Sequence, residues 1–136
     1  MPDAELYVQL FSITQLGYQA ECRRWFFTHY DVSTYEELDA QYPEGSSERD
    51  QLVNVLMFFE TVGVLVQRGL LDEEVFLSSP LGFDIVWTRL RPTLEAWRAR
   101  TGPTTWSNVI WLGRRLDWWY ENVWAPPDEA RPPDDG

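Results

Sequence analysis

The stretch Ser47-Glu-Arg-Asp-Gln-Leu-Val-Asn-Val-Leu-Met-Phe-Phe-Glu-Thr-Val-Gly-Val-Leu-Val-Gln-Arg-Gly69 decides the fold. Leu52, Leu56, Phe59, Gly63, Val66 and Leu70 recur at helical spacing and form one row. Val53, Val55, Met57, Phe58, Val62, Val64 and Leu65 fill other faces. A helix apolar on most sides belongs in the middle of a bundle, because each face needs a neighbour to cover it. The longest apolar run, Leu52 to Leu71, is broken by Asn54, Glu60, Gln67 and Arg68, too polar to span a bilayer. Gly69 suits the end of the helix.

Outward from that helix, spacings of three and four dominate and strand-like alternation is scarce. A first helix is predicted from Asp3 to Tyr30, with Pro2 at its start. Its stripe is Leu6, Leu10, Ile13, Gly17 and Ala20, and Gly17 is read as a point of close helix approach. Ser33 and Glu36 have capping-box spacing and open a short helix to Gln41, closed by Pro43 and Gly45. Ser46 or Ser47 caps the central helix. Downstream, Asp72-Glu73-Glu74 opens another short helix, since acids suit the positive helix start. A further helix, Phe83 to Arg100, turns Phe83, Trp87, Leu90, Leu94 and Trp97 to one side. Pro92 inside it cannot bond the carbonyl of Thr88, and a kink is expected there. The last helix runs from Thr104 to Val123. The expectation is an all-α fold, a single compact bundle of about five or six helices over residues 1–125. Residues 126–136, acidic and Pro-rich, read as a disordered tail.

Composition bounds the function. The 136 residues suit one domain, and 22 acids against 11 bases give a net charge of −11. Every base is arginine. That balance argues against grasping nucleic-acid phosphates or an anionic membrane. One cysteine, Cys22, permits no internal disulfide and fits a reducing compartment, so a cytoplasmic location is expected. Eight Trp, six Tyr and seven Phe supply more ring surface than a chain of this length ordinarily carries.

Familiar chemistries find few residues. Cys22 and His29, seven apart, share a helix face about 10 Å apart, beyond the ~3 Å of a thiolate–imidazole pair. One His and one Cys make no zinc tetrad, and no Glu-x-x-His pairs exist for a di-iron bundle. Without lysine there is no Walker loop. No metal, cofactor or catalytic set is expected.

Two features stand out. Glu60 lies inside the most apolar helix, and a buried carboxylate needs a partner. Arg91, Arg98, Arg100, Arg114 and Arg115 are available, and a structural ion pair between Glu60 and Arg98 is expected. The last helix carries aromatics nearly all round. Trp111, Arg114, Arg115 and Trp118 share one face beyond its core stripe, and Trp and Arg are the residue types of interface hot spots.

Val55-Leu56-Met57-Phe58-Phe59-Glu60-Thr61-Val62-Gly63, then Gly69-Leu70-Leu71-Asp72, then Trp87 with Leu90, Pro92 and Arg98, resemble an uncharacterised family of small helical bacterial proteins classed as a domain of unknown function. The likeness covers about Ser46 to Glu121. It implies an all-α fold and leaves activity open. Many relatives of that kind carry an N-terminal membrane helix, whereas the first helix here is too polar to span. The preferred reading is a non-enzymatic interaction or accessory module, homodimeric or bound to another protein through Trp111, Arg114, Arg115 and Trp118. Two alternatives remain. One is an acidic inhibitor that mimics nucleic acid, with Glu36, Glu37, Asp39, Glu44, Glu48 and Asp50 on one face. The other is an enzyme with a buried pocket of Glu60 and arginines.

Overall fold

The structure, a computed structural model, describes residues 4–126. The expected tail lies almost wholly outside them. Seven α-helices follow in order, with no strand among the described residues. They are α1 (Ala4–Thr14), α2 (Gly17–His29), α3 (Tyr35–Gln41), α4 (Ser47–Gln67), α5 (Glu73–Ser78), α6 (Phe83–Thr101) and α7 (Ser107–Asn122). The central position read for α4 holds: α2 and α7 pack on it, α6 packs on α7, and α3 packs on α6. Leu52, Val55, Leu56, Phe59 and Val62 are fully buried.

The single first helix expected over Asp3 to Tyr30 is two. Ser12 and Thr14 turn their hydroxyls back onto the carbonyls of Val8 and Phe11. The amides of Gln15 and Leu16 then bond Ser12 and Ile13, a tighter winding that ends α1. Gly17 follows at φ +56° with open space where a side chain would stand. Its role is therefore a left-handed corner, not a close approach, and one continuous stripe through Ile13 was an artefact of spacing.

The capping box of α3 sits one residue later than expected. Thr34 Oγ1 accepts from the Glu37 amide at 3.2 Å, and the Glu37 carboxylate accepts from the Ser33 amide at 3.0 Å. Ser46 caps α4 and Asp72 caps α5. At the end of α4, Leu70 N bonds Leu65 O and Gly69 N bonds Val66 O, the paired closure of a Schellman motif. Helix α6 stays helical on both sides of Pro92, whose ring keeps to the exposed face.

Two glycines bring the helices together. A Cβ on Gly63 would lie 2.7 Å from the Asn108 carbonyl oxygen, so α4 meets the start of α7 backbone to backbone. A Cβ on Gly113 would overlap the indole of Trp87, which lies flat against α7. Trp87 Nε1 donates to Asp117 at 3.1 Å, one helical turn beyond Gly113, and fixes the ring there.

Candidate functional site

Helix α7 begins without a cap of its own. Trp106 stands before its first residue in a left-handed conformation, φ 51°, and offers no side-chain acceptor to the free amides. Burial of its ring edge-on to Trp97, centroids 5.4 Å apart, offsets that strained backbone. The missing cap comes from α4. Glu60 Oε1 accepts from the backbone amides of Asn108 (3.0 Å) and Val109 (2.9 Å), and Oε2 accepts from Asn108 Nδ2 (2.9 Å). Gln67 completes the clasp by donating to Asn108 Oδ1 at 2.7 Å and to the Gly63 carbonyl at 3.1 Å. Glu60, Gly63 and Gln67 lie on one ridge of α4, all three against the first turn of α7. A carboxylate at a helix N-terminus is stabilised by the amides and by the helix dipole together.

Glu60 therefore meets helix amides where an arginine had been expected. Arg98 lies elsewhere, lining a shallow cleft of about 540 Å³ with Glu95, Ala99, Gly102, Pro103 and Arg114. None of the four ion pairs among the described residues includes Glu60 or Arg98.

The other end of α7 is held by the acids of α5. Arg115 Nε donates to Glu73 at 3.0 Å, and Trp119 Nε1 donates to Glu74 at 3.1 Å. Asp72, Glu73 and Glu74 thus do more than open α5: the first caps it and the other two grip α7. With its guanidinium anchored, Arg115 lies over the Trp118 ring, 4.6 Å from the centroid. Trp118 is 45% exposed, Trp111 is half-buried against the core, and Arg114 is exposed. The four residues singled out from sequence thus share one face, with Trp118 and Arg114 outermost.

A buried charge went unread in the sequence, whereas Glu60 is only half-buried. Arg49 is 3% exposed and donates to Asp39 at 3.1 Å and to the Tyr42 carbonyl at 3.0 Å. Its guanidinium stacks on Trp97 at 4.6 Å. Tyr35, Tyr42 and Trp97 shape this pocket, and only their three-dimensional arrangement reveals it. Burial pushes the Tyr30 phenol well above its ordinary range. The Cys22 thiol is pushed up by burial too. His29 is exposed at the end of α2.

Among the described residues, no three of His, Cys, Asp and Glu gather as a metal set, and no helix is long and apolar enough to cross a membrane. The family of domain of unknown function DUF4760 matches residues 2–116. The chain belongs to that family. The match reaches further towards the N-terminus than the resemblance read from Ser46 onward, and takes in α1 to α3 as well. No curated protein and no solved structure matches the chain. In this DUF4760 domain the signature residues named from sequence have defined contacts. Glu60 and Gly63 both meet Asn108, Asp72 caps α5, and Trp87 lies on Gly113.

Proposed function

We propose that the chain is a non-enzymatic interaction module whose α7 face receives a protein partner. The observation that carries this is Trp118, a large ring left nearly half exposed beneath an arginine that Glu73 already holds in place. An aromatic anchor with its neighbour fixed in advance loses little side-chain freedom on binding. Arg114 and Arg98 line the adjoining cleft without an acid bonded to either. The partner best suited presents an apolar contact to Trp118 and a carboxylate to that cleft. A second copy fits this face less well, because a two-fold axis here would set Arg114 near its own image. A cytoplasmic location belongs to the same reading.

The alternatives draw less support. Three of the acids expected to form a nucleic-acid-like face are already engaged: Glu36 with Arg100, Asp39 with Arg49, and Glu37 with the Ser33 amide. Glu60, the carboxylate an enzyme reading would use, accepts three hydrogen bonds and does not line the cleft of Arg98 and Arg114.

The test is isolation of the native-level protein from the cells that make it, comparing Trp118→Ala and Arg114→Ala with Ile85→Ala, an exposed apolar control on α6. A near-stoichiometric partner retained by the control and lost by both face variants is expected. Equal recovery with all three variants would refute the α7 face.

A further inference from the structure

Two clefts on the outer side of α6 run into one another. One, about 310 Å³, is lined by Asp84, Ile85, Thr88 and Arg89 together with Tyr120 of α7. The next, about 470 Å³, shares Thr88 and Arg89 and continues past Pro92 to Asp31 and Ser33, between α2 and α3. They form one groove, away from the end of α6 where Arg98 and Gly102 line a cleft of their own. Arg89 stands where the two join. Its Nη1 donates to the Phe26 carbonyl at 3.3 Å, which steadies the side chain. None of the ion pairs among the described residues includes it. The chain leaves α7 at the near end of this groove. The Trp124 amide bonds the Trp119 carbonyl at 3.0 Å, which turns the backbone off the helix axis. The Trp124 ring then lies edge-on to Tyr120, centroids 6.0 Å apart.

We propose that residues 127–133, which lie beyond the described part of the chain, dock in this groove as an extended strap, with Asp128 and Glu129 on Arg89 and Arg131 on Asp31. Direction, spacing and charge select this occupant. Trp124, packed on Tyr120, already starts the chain along the groove. Proline fixes its own φ and keeps the residue before it extended, so Pro126, Pro127, Pro132 and Pro133 favour an extended run. Such a run advances about 3.1 Å per residue, which puts Glu129 about 6 Å and Arg131 about 12 Å beyond Pro127. With Pro127 against Ile85, the matching positions on α6 are Arg89, about 6 Å along, and Pro92, about 10 Å along. From the near end the groove's charges read Asp84, Arg89, Asp31. The strap reads uncharged Ala125 to Pro127, then acidic Asp128 and Glu129, then basic Arg131. Each strap charge meets its opposite, and Asp84 faces the uncharged stretch. An extended proline run loses little freedom on docking. The tether raises its local concentration to about millimolar, so a contact too weak for a separate peptide is occupied within one chain. The groove includes neither Trp118 nor Arg114 and does not depend on the α7 face.

Amide nuclear magnetic resonance of the full chain tests this. By nitrogen relaxation, residues 128–131 are expected to tumble with the helical domain. Asp128→Lys with Glu129→Lys alters the strap alone and leaves the seven helices untouched. It should lower the docked fraction about tenfold, since two exposed attractions become repulsions. The amides of Ile85, Thr88, Arg89 and Ser33 should shift with it. Adding Arg89→Glu to that double variant should recover docking, because the pairing is then reversed. Dilution by about tenfold should leave these signals unchanged, the mark of a contact within one chain. Strap amides that tumble as a free peptide in the wild-type chain would overturn the proposal. So would shifts that fall on Arg98 and Arg114 instead, docking indifferent to the two lysines, or docking released by dilution.

Discussion

Replacing Glu60 with Gln probes the join between α4 and α7 most closely. The carboxylate satisfies two backbone amides and the Asn108 side chain at 2.9–3.0 Å. Glutamine keeps one acceptor oxygen, but its NH₂ then faces a donor and the negative charge at the helix start is gone. Losing a cap costs about 0.5–2 kcal/mol, and a partly buried charge–dipole contact is worth up to about 2 kcal/mol. A destabilisation of about 1.5 kcal/mol is the expected outcome, read as a fall in Tm of roughly 4–8 °C for a domain of this size. Urea unfolding of a double-mutant cycle identifies the partner. Glu60→Gln with Asn108→Ala should couple by about 0.5–1.5 kcal/mol, and Glu60→Gln with Arg98→Ala should be additive within about 0.5 kcal/mol. Coupling to Arg98 without coupling to Asn108 would refute the capping role and restore the ion pair. Hydrogen exchange gives a local check, because the Asn108 and Val109 amides should lose protection first.

Further predictions follow from the same geometry. Gly113→Ala forces the Trp87 indole off α7 and should destabilise by about 1–3 kcal/mol, with a changed near-ultraviolet circular dichroism signal from the displaced ring. Arg49→Ala should cost about 3 kcal/mol in urea unfolding, since it leaves the Tyr42 carbonyl unpaired and opens a void against Trp97. For pH, a thiol and a phenol whose pKa values rise on folding are protonated in the native state and ionise more readily when unfolded. Stability is therefore full below the ordinary thiol range and declines as pH rises, first through Cys22 and then, above about pH 10, through Tyr30. Urea midpoints from pH 7 to 10.5 should show this, and Cys22→Ala should remove the earlier part of the fall. Trp118→Ala should change stability by less than about 0.5 kcal/mol, because its ring is a surface group.

The helices were legible because their signals are local. The apolar row of α4, the acids before α5 and the Gly69 stop each act within a few residues, and each element formed near where it was read. The misreading of α1 and α2 has the same origin. Spacing continues through Gly17, and only the left-handed turn there, set up by Ser12 and Thr14, separates the two helices. Glu60 shows the limit more sharply. Its need for a partner follows from one residue in an apolar run, but its partner stands 48 residues away at a helix start that lacks its own cap. Charge counting favoured an arginine, and a helix N-terminus is a positive group that no composition reveals. The α7 face was readable as an excess of Trp and Arg. That Glu73 pins Arg115 and leaves Trp118 outermost depended on where α5 packs. Arg49 gave no signal, because its aromatic enclosure comes from the two ends of α3 and from α6.

Site-resolved crosslinking beside Trp118 tests the central claim most directly. A photo-activated amino acid replaces Asn122, exposed one helical turn beyond Trp118 on the same face, in the producing cell, with the same group at Thr88 on α6 as control, and crosslinked mass is read after irradiation. The account expects a discrete adduct at position 122, lost when Trp118→Ala is added to the same chain and suppressed by co-expressed unlabelled wild-type chain. No adduct at 122, or one equally strong at 88 and indifferent to Trp118→Ala, would contradict it.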